Sequence, residues 1–223
     1  MNFDNNDLKI FEEIEEIREN IKQQNLEVQF LDFGAGDPKE KRDEKTMSKG
    51  VQSVRYTKEL CQIGLKNEWS QLIYSLVKEH KPNTILELGT CCGFSSIYMS
   101  KANKSSTIYT IEGACEVAKI AAKNIQKANC DNIIQKVGKF NDVLQPLLRE
   151  IKSVDFAFID GHHDKDATLK YFKDIKPFLS TNAIVVFDDI SWSEGMKESW
   201  KTIIRDKDIK KYEDLEKLGI CYL

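Results

Sequence analysis

Apolar residues recur at Leu8, Phe11, Ile14, Ile17 and Ile21, with charged residues between them. That spacing predicts an amphipathic helix over residues 7–24. A short apolar stretch follows at 28–33. Residues 37–49 are almost wholly charged or polar and contain Pro38, which predicts an exposed loop. Residues 58–80 return to helical spacing and stop before Lys81-Pro82.

From residue 84 the pattern changes. Apolar runs of strand length fall at 84–88, 107–111, 133–137, 155–159 and 183–187. Helical segments alternate with them at 95–101, 114–128, 143–151, 166–172 and 196–205. Residues 213–223 offer one or two further edge strands. Strands that are apolar throughout and separated by helices predict an α/β fold of the doubly wound kind: a mostly parallel sheet with helices on both faces. Residues 1–57 read as an N-terminal helix-and-loop extension, and 58–223 as the domain.

Composition narrows the class. The chain has 223 residues, 41% hydrophobic and 31% charged, with a formal net charge of -3. The lack of a basic surplus argues against a nucleic-acid partner. No apolar run approaches the ~20 residues of a membrane span. Six cysteines, Cys61, Cys91, Cys92, Cys115, Cys130 and Cys221, show no zinc-ligand spacing. The first twenty residues lack the pattern of a secretory signal. The expectation is reduced thiols and a cytoplasmic protein. The N-terminal helix either covers the domain or offers a homodimer contact.

In an open parallel sheet, ligands bind beyond the carboxyl ends of the strands. The first strand of the alternation ends in Glu87-Leu88-Gly89-Thr90-Cys91-Cys92-Gly93. Glycines there permit a tight turn and close approach to a ligand. The next helix points its amide groups at the same place, with Ser95 near its start as a holder for a carboxylate. The second strand ends in Glu112-Gly113, about twenty residues on, where an acid commonly takes a ribose hydroxyl pair. The glycine spacing is GxxxG, not GxGxxG, so a nucleoside without a pyrophosphate suits it better than NAD. A second glycine run, Leu31-Asp32-Phe33-Gly34-Ala35-Gly36, precedes neither an apolar helix nor an acid-ended strand. It reads as a turn or a substrate-side lid.

The last two long strands end in Asp160-Gly161-His162-His163-Asp164 and Asp188-Asp189. Carboxylates of Asp160, Asp188 and Asp189 in one crevice repel one another unless neutralised. A hard divalent cation, Mg²⁺, is one answer. The other is that one Asp caps a helix and the rest are hydrated. His162 or His163 could accept a proton from a substrate hydroxyl.

Together, ILELGTCCGFSS (85–96), IYTIEG (108–113), VGKFNDVL (137–144), FAFIDGHH (156–163) and IVVFDDISW (184–192) resemble the class I S-adenosylmethionine-dependent methyltransferases. The resemblance is to the catechol O-methyltransferase-like group and to macrocin-type sugar O-methyltransferases, over residues 60–205. It implies a Rossmann-like fold and methyl transfer to a hydroxyl of a small molecule, assisted by Mg²⁺. It implies that Glu87, Gly89, Thr90, Cys91 and Gly93 form the cofactor loop. Ser95 would hold the methionine carboxylate, Glu112 and Gly113 the ribose, and Gly138, Lys139 and Phe140 the adenine. Asp160 would stand near the methionine amine and join Asp188 and Asp189 on the metal. The chain departs from the catechol enzymes, which have Asp-Asn where Asp188-Asp189 stands and a lysine where His163 stands. The sugar enzymes place an acidic base where His162 stands. Two rival readings are an NAD-type oxidoreductase and a cofactor-binding protein without catalysis.

Overall fold

The computed structural model describes residues 1–36 and 42–223. The chain begins with α1 (Asn5–Gln24), β1 (Glu27–Asp32), α2 (Glu44–Lys49), β2 (Val51–Tyr56), α3 (Thr57–Leu60) and α4 (Glu68–His80). The alternation follows as β3 (Thr84–Leu88), α5 (Phe94–Ala102), β4 (Thr107–Glu112), α6 (Cys115–Lys127), β5 (Ile133–Val137) and α7 (Phe140–Ile151). It closes with β6 (Val154–Ile159), α8 (Lys165–Ile175), β7 (Leu179–Phe187), α9 (Glu194–Ile203), β8 (Lys211–Asp214) and β9 (Gly219–Tyr222).

Seven strands form one sheet in the order β5-β4-β3-β6-β7-β9-β8. The five from β3 to β7 are parallel, and β9 pairs antiparallel with both β7 and β8. The predicted doubly wound sheet is therefore present. The C-terminal strands are a finer matter: β8 forms the edge, whereas β9 lies inside the sheet. Alternate strand residues face opposite layers. Ile85, Phe156, Phe158 and Val186 pack with Ile73 and Val77 of α4. Leu86, Leu88, Ile159, Val185 and Phe187 pack against α7, α8 and α9 through Leu147, Phe172 and Trp200.

The chain reverses direction across the sheet at β3, whose neighbours are β4 and β6. A crevice opens there beyond the strand ends. The N-terminal segment lies beside it. β1 and β2 form a separate antiparallel hairpin, and Val28 and Phe30 share a core with Phe11, Ile14, Phe94 and Val117.

Three local expectations change. Residues 58–80 are not one helix: α3 ends at Leu60 and α4 starts at Glu68. Residues 44–49, expected in a loop, form α2, capped by the Asp43 side chain accepting from the Thr46 amide at 2.8 Å. Residues 37–41 of that expected loop lie outside the described residues. The buried stripe of α1 runs through Asp7, Phe11, Ile14, Arg18 and Ile21, and Leu8 is exposed. Asp7 is buried because Lys78 and the Tyr74 hydroxyl hold its carboxylate at 2.6 and 2.7 Å. Arg18 lies over the Phe94 ring and donates to the carbonyls of Cys61 and Leu65.

Candidate functional site

A cavity of about 320 Å³ lies at this crevice, within the range of small-ligand sites. Of the residues singled out in the sequence, Gly89, Cys91, Glu112, Gly113, Lys139, Phe140, Asp160, His162 and His163 line it. The N-terminal hairpin supplies the opposite wall, including Phe30, Phe33, Gly34, Ala35 and Arg55. The glycine run at 31–36 is thus part of the cavity wall. The Ala35 amide donates to the His162 carbonyl at 3.0 Å, which ties this wall to the end of β6.

Glu112 ends β4 with its carboxylate held by backbone. Oε2 accepts from the Cys91 amide at 2.8 Å and Oε1 from the Ala114 amide at 2.9 Å. Burial raises its pKa, opposed by these amides. Each carboxylate oxygen retains acceptor capacity for a hydroxyl donor. Gly113, the next residue, has the Phe33 ring against its α-carbon; a β-carbon there would stand 2.8 Å from that ring. Gly89 is tighter still. Its φ is +102°, and a β-carbon would lie 1.9 Å from the Asp160 carbonyl oxygen, so no side chain fits.

Five expected cofactor contacts, Glu87, Thr90, Gly93, Ser95 and Gly138, do not line the cavity. Glu87 is fully buried, accepts from the Thr110 hydroxyl at 2.6 Å and is hydrogen-bonded by the Ser96 hydroxyl. Burial pushes its pKa up to about 7. Ser95 belongs to this group as well: its hydroxyl turns toward Glu87, not toward the cavity. The reason is the helix start. Gly93 caps α5 in the left-handed region, and the first turn carries Ser95 and Ser96 over β3. The Thr90 hydroxyl bonds that of Thr110. Gly138 also stands off the wall, its amide donating to the Glu112 carbonyl at 2.9 Å.

The two histidines differ. Both have positive φ, 64° at His162 and 48° at His163. The His162 ring is half-buried, packs between Phe140 and Tyr171 and hydrogen-bonds the Tyr171 hydroxyl through Nδ1. Burial pulls its pKa down to about 4, so it is neutral and already bonded. His163 has Nε2 3.4 Å from Asp160 Oδ1 and Nδ1 4.0 Å from Asp189 Oδ2, with the Trp192 ring tilted against it. Its ring is a quarter exposed. Of the two rings, it is the one that stands beside the aspartates.

Asp160, Asp188 and Asp189 do converge. Burial raises the Asp160 pKa well above the usual carboxylate range, and the charges of Asp188 and Asp189 raise it further. Asp188 and Asp189 do not line the cavity; they stand behind Asp160. Their neutralising partner is a residue that the sequence reading missed. Lys217 places Nζ 2.9 Å from Asp188 Oδ1 and bonds Asp189 Oδ1. Burial alone would lower the Lys217 pKa, but Asp188 and Asp189 raise it on balance. This donor set does not fit a divalent ion as it stands, because the ammonium already holds an oxygen of Asp188 and one of Asp189. Among the described residues no group of three or more His, Cys, Asp or Glu side chains is arranged to hold a metal. The expected Mg²⁺ ligation by Asp160, Asp188 and Asp189 is not shown by this arrangement. The signal for Lys217 lies in the register: Phe187 pairs with Gly219, and two more antiparallel steps set Lys217 opposite Asp189.

Residues 86–190 match a family model described as a methyltransferase domain. A catechol O-methyltransferase of Niastella koreensis is 34% identical over 109 residues, 48% of each chain. The catechol O-methyltransferase of Sus scrofa is 29% identical over 99 residues, 43% of this chain and 53% of the relative. The matches thus span about half the length of these curated relatives. An O-methyltransferase of Bacillus cereus, solved in complex with SAH, superimposes with a TM-score of 0.63 at 19% identity, covering 74% of this chain and 85% of that one. At that identity the likeness speaks for the fold, which is the Rossmann-like one expected. The strand-end glycine loop, the acid closing β4 and the match over 86–190 agree: this part of the chain is similar to a methyltransferase domain, and about half of the chain is similar to catechol O-methyltransferases.

Proposed function

We propose that the chain transfers the methyl group of S-adenosylmethionine to a hydroxyl of a small molecule. The observation that carries this reading is Glu112: a carboxylate fixed by two backbone amides at the end of β4, facing a cavity beside the Gly89 turn. That arrangement suits a ribose hydroxyl pair. Gly89 and Gly113 let the backbone approach the nucleoside, and Phe33 and Phe140 offer apolar faces in the same cavity. When bound, the cofactor supplies a methyl group made electrophilic by its sulfonium. The chain's own contribution is to hold the acceptor hydroxyl in line and to remove its proton. His163, beside Asp160, takes that proton, and Asp160 and Asp189 orient the ring. The rate comes chiefly from positioning. Magnesium stays outside this proposal because the Lys217 ammonium already holds one oxygen of Asp188 and one of Asp189.

The cytoplasm is the compartment we propose, on the strength of six free cysteines. No helix among the described residues is long and apolar enough to cross a membrane.

Calorimetric titration with S-adenosylmethionine and S-adenosylhomocysteine tests the proposal. The wild-type chain binds both, and Glu112→Ala weakens binding by about 100-fold, as expected for hydrogen bonds to a buried carboxylate. Absence of binding by folded wild-type protein, or an unchanged affinity in the variant, overturns it.

A further inference from the structure

The carboxylates at the ends of β6 and β7 occupy the place where the resemblance calls for a metal, yet they already carry a cation of their own. Lys217 sits in the turn joining β8 to β9. That turn is docked on the Asp188-Asp189 loop from both sides. The Ile190 amide donates to the Lys217 carbonyl at 3.1 Å, and the Lys217 ammonium reaches back to Asp188 and Asp189. Leu218, the next residue, is fully buried and fixes the depth of the turn. Glu216, the residue before, has φ +65° and its amide is held by Asp214 Oδ1 at 3.0 Å. A non-glycine residue in that region is uncommon. Here it belongs to the bend that aims Lys217 at the two aspartates.

We propose that Lys217 is the resident counter-cation of the Asp160-Asp188-Asp189 cluster and stands in for a divalent metal, so that the site functions without one. An ammonium bonded to two of three carboxylates supplies fixed positive charge without open coordination positions. A metal at the same oxygens would have to displace it against like-charge repulsion. Removing the charge of Lys217 leaves three crowded carboxylates and the His163 ring with no cation. This is the oxygen-rich donor set that hard divalent ions prefer. Lys217 is then a positioning residue. It holds Asp189, which faces His163 at 4.0 Å, and it does not itself line the cavity. The acceptor is held by side chains, with no two-point chelation of neighbouring oxygens through a metal. That last clause rests on the methyltransferase reading; the cation arrangement does not.

The test is a Mn²⁺ titration followed by electron paramagnetic resonance, on the full chain, with no turnover needed. Wild-type protein is expected to leave Mn²⁺ free at concentrations up to about 0.1 mM, the range where weak oxygen sites begin to fill. Lys217→Met is expected to bind Mn²⁺ at least about tenfold more tightly, and the double variant K217M/D188N to lose that gain. Lys217→Arg keeps the charge and is expected to behave as wild type. Stoichiometric Mn²⁺ binding by wild type that Asp188→Asn abolishes overturns the proposal. So does a folded Lys217→Met protein with no gain. If Lys217→Met does not fold, the wild-type titration decides: tight binding refutes the proposal and free Mn²⁺ supports it. S-adenosylhomocysteine binding, measured in parallel with chelator present, reports on the methyltransferase reading separately. A chain that binds neither Mn²⁺ nor nucleoside defeats that reading and leaves the counter-cation assignment standing.

Discussion

The two halves of the crevice balance buried carboxylates in different ways. Beyond β3 and β4, Glu87 and Glu112 are held by hydroxyls and backbone amides from residues within about twenty-five positions of each other. Beyond β6 and β7, Asp160, Asp188 and Asp189 depend on an ammonium from a hairpin near the other end of the sheet. Hydrogen bonding leaves a carboxylate with acceptor sites that a ligand can use. Ion pairing uses the charge itself and leaves less to offer. The first half therefore keeps acceptors open at the crevice, and the second surrounds His163 with paired charges.

The halves meet at one point, and breaking it gives the largest effect. Gly89→Ala would drive a β-carbon into the Asp160 carbonyl oxygen, 1.9 Å away, at φ +102°. We expect a loss of about 3 kcal/mol or more in chemical denaturation and no measurable nucleoside binding. Wild-type-like stability would show that the two strand ends are not in contact. Next comes the second half alone. His163→Ala should lower kcat by at least about 100-fold, as for removal of a general base, with cofactor affinity within a few-fold of wild type. A kcat that holds up while cofactor affinity falls would move His163 into the first half.

An effect that leaves binding and turnover aside sharpens the first half. The folded pKa of Glu87, about 7, lies above its ordinary value of 4.5. The folded state then binds the extra proton more tightly than the unfolded chain does. Its stabilising contribution is complete below pH 4.5 and is lost as pH rises to about 7. The difference in unfolding free energy between wild type and Glu87→Gln should fall across that window, by on the order of 3 kcal/mol in total, and level off above it. A flat difference would mean that the hydroxyls of Ser96 and Thr110 keep Glu87 ionised.

What could be read in advance follows from distance along the chain. Strand ends, the Gly89 turn, Glu112 and the converging aspartates were legible because apolar runs mark the strands and each strand end exposes the next residue. Which face a residue takes was harder. Ser95 follows the predicted loop, yet one turn of α5 rotates it onto Glu87. The histidines looked equivalent in sequence and are separated by packing, because Tyr171 and Phe140 enclose only His162. Lys217 was missed, and the seat of the Phe33 ring within the expected turn or lid was not legible, for one reason: both come from elements remote in sequence from what they touch. Nothing local to Phe33 announces that its ring will lie against Gly113. Lys217 becomes visible only once β9 is known to pair with β7.

That placement of β9 has a kinetic corollary. β9 closes a loop of some thirty residues to reach β7, whereas β3 and β6, which frame the crevice, pair across about seventy positions, Ile85 with Phe156. The longer closure is the costlier one before its contacts are made. Until β3 and β6 pair, the Gly89 turn and Asp160 are apart and there is no crevice for Lys217 to enter. In a refolding experiment the nucleoside pocket and the charge pattern around His163 are therefore expected to appear together, set by the β3–β6 pairing and not by β9.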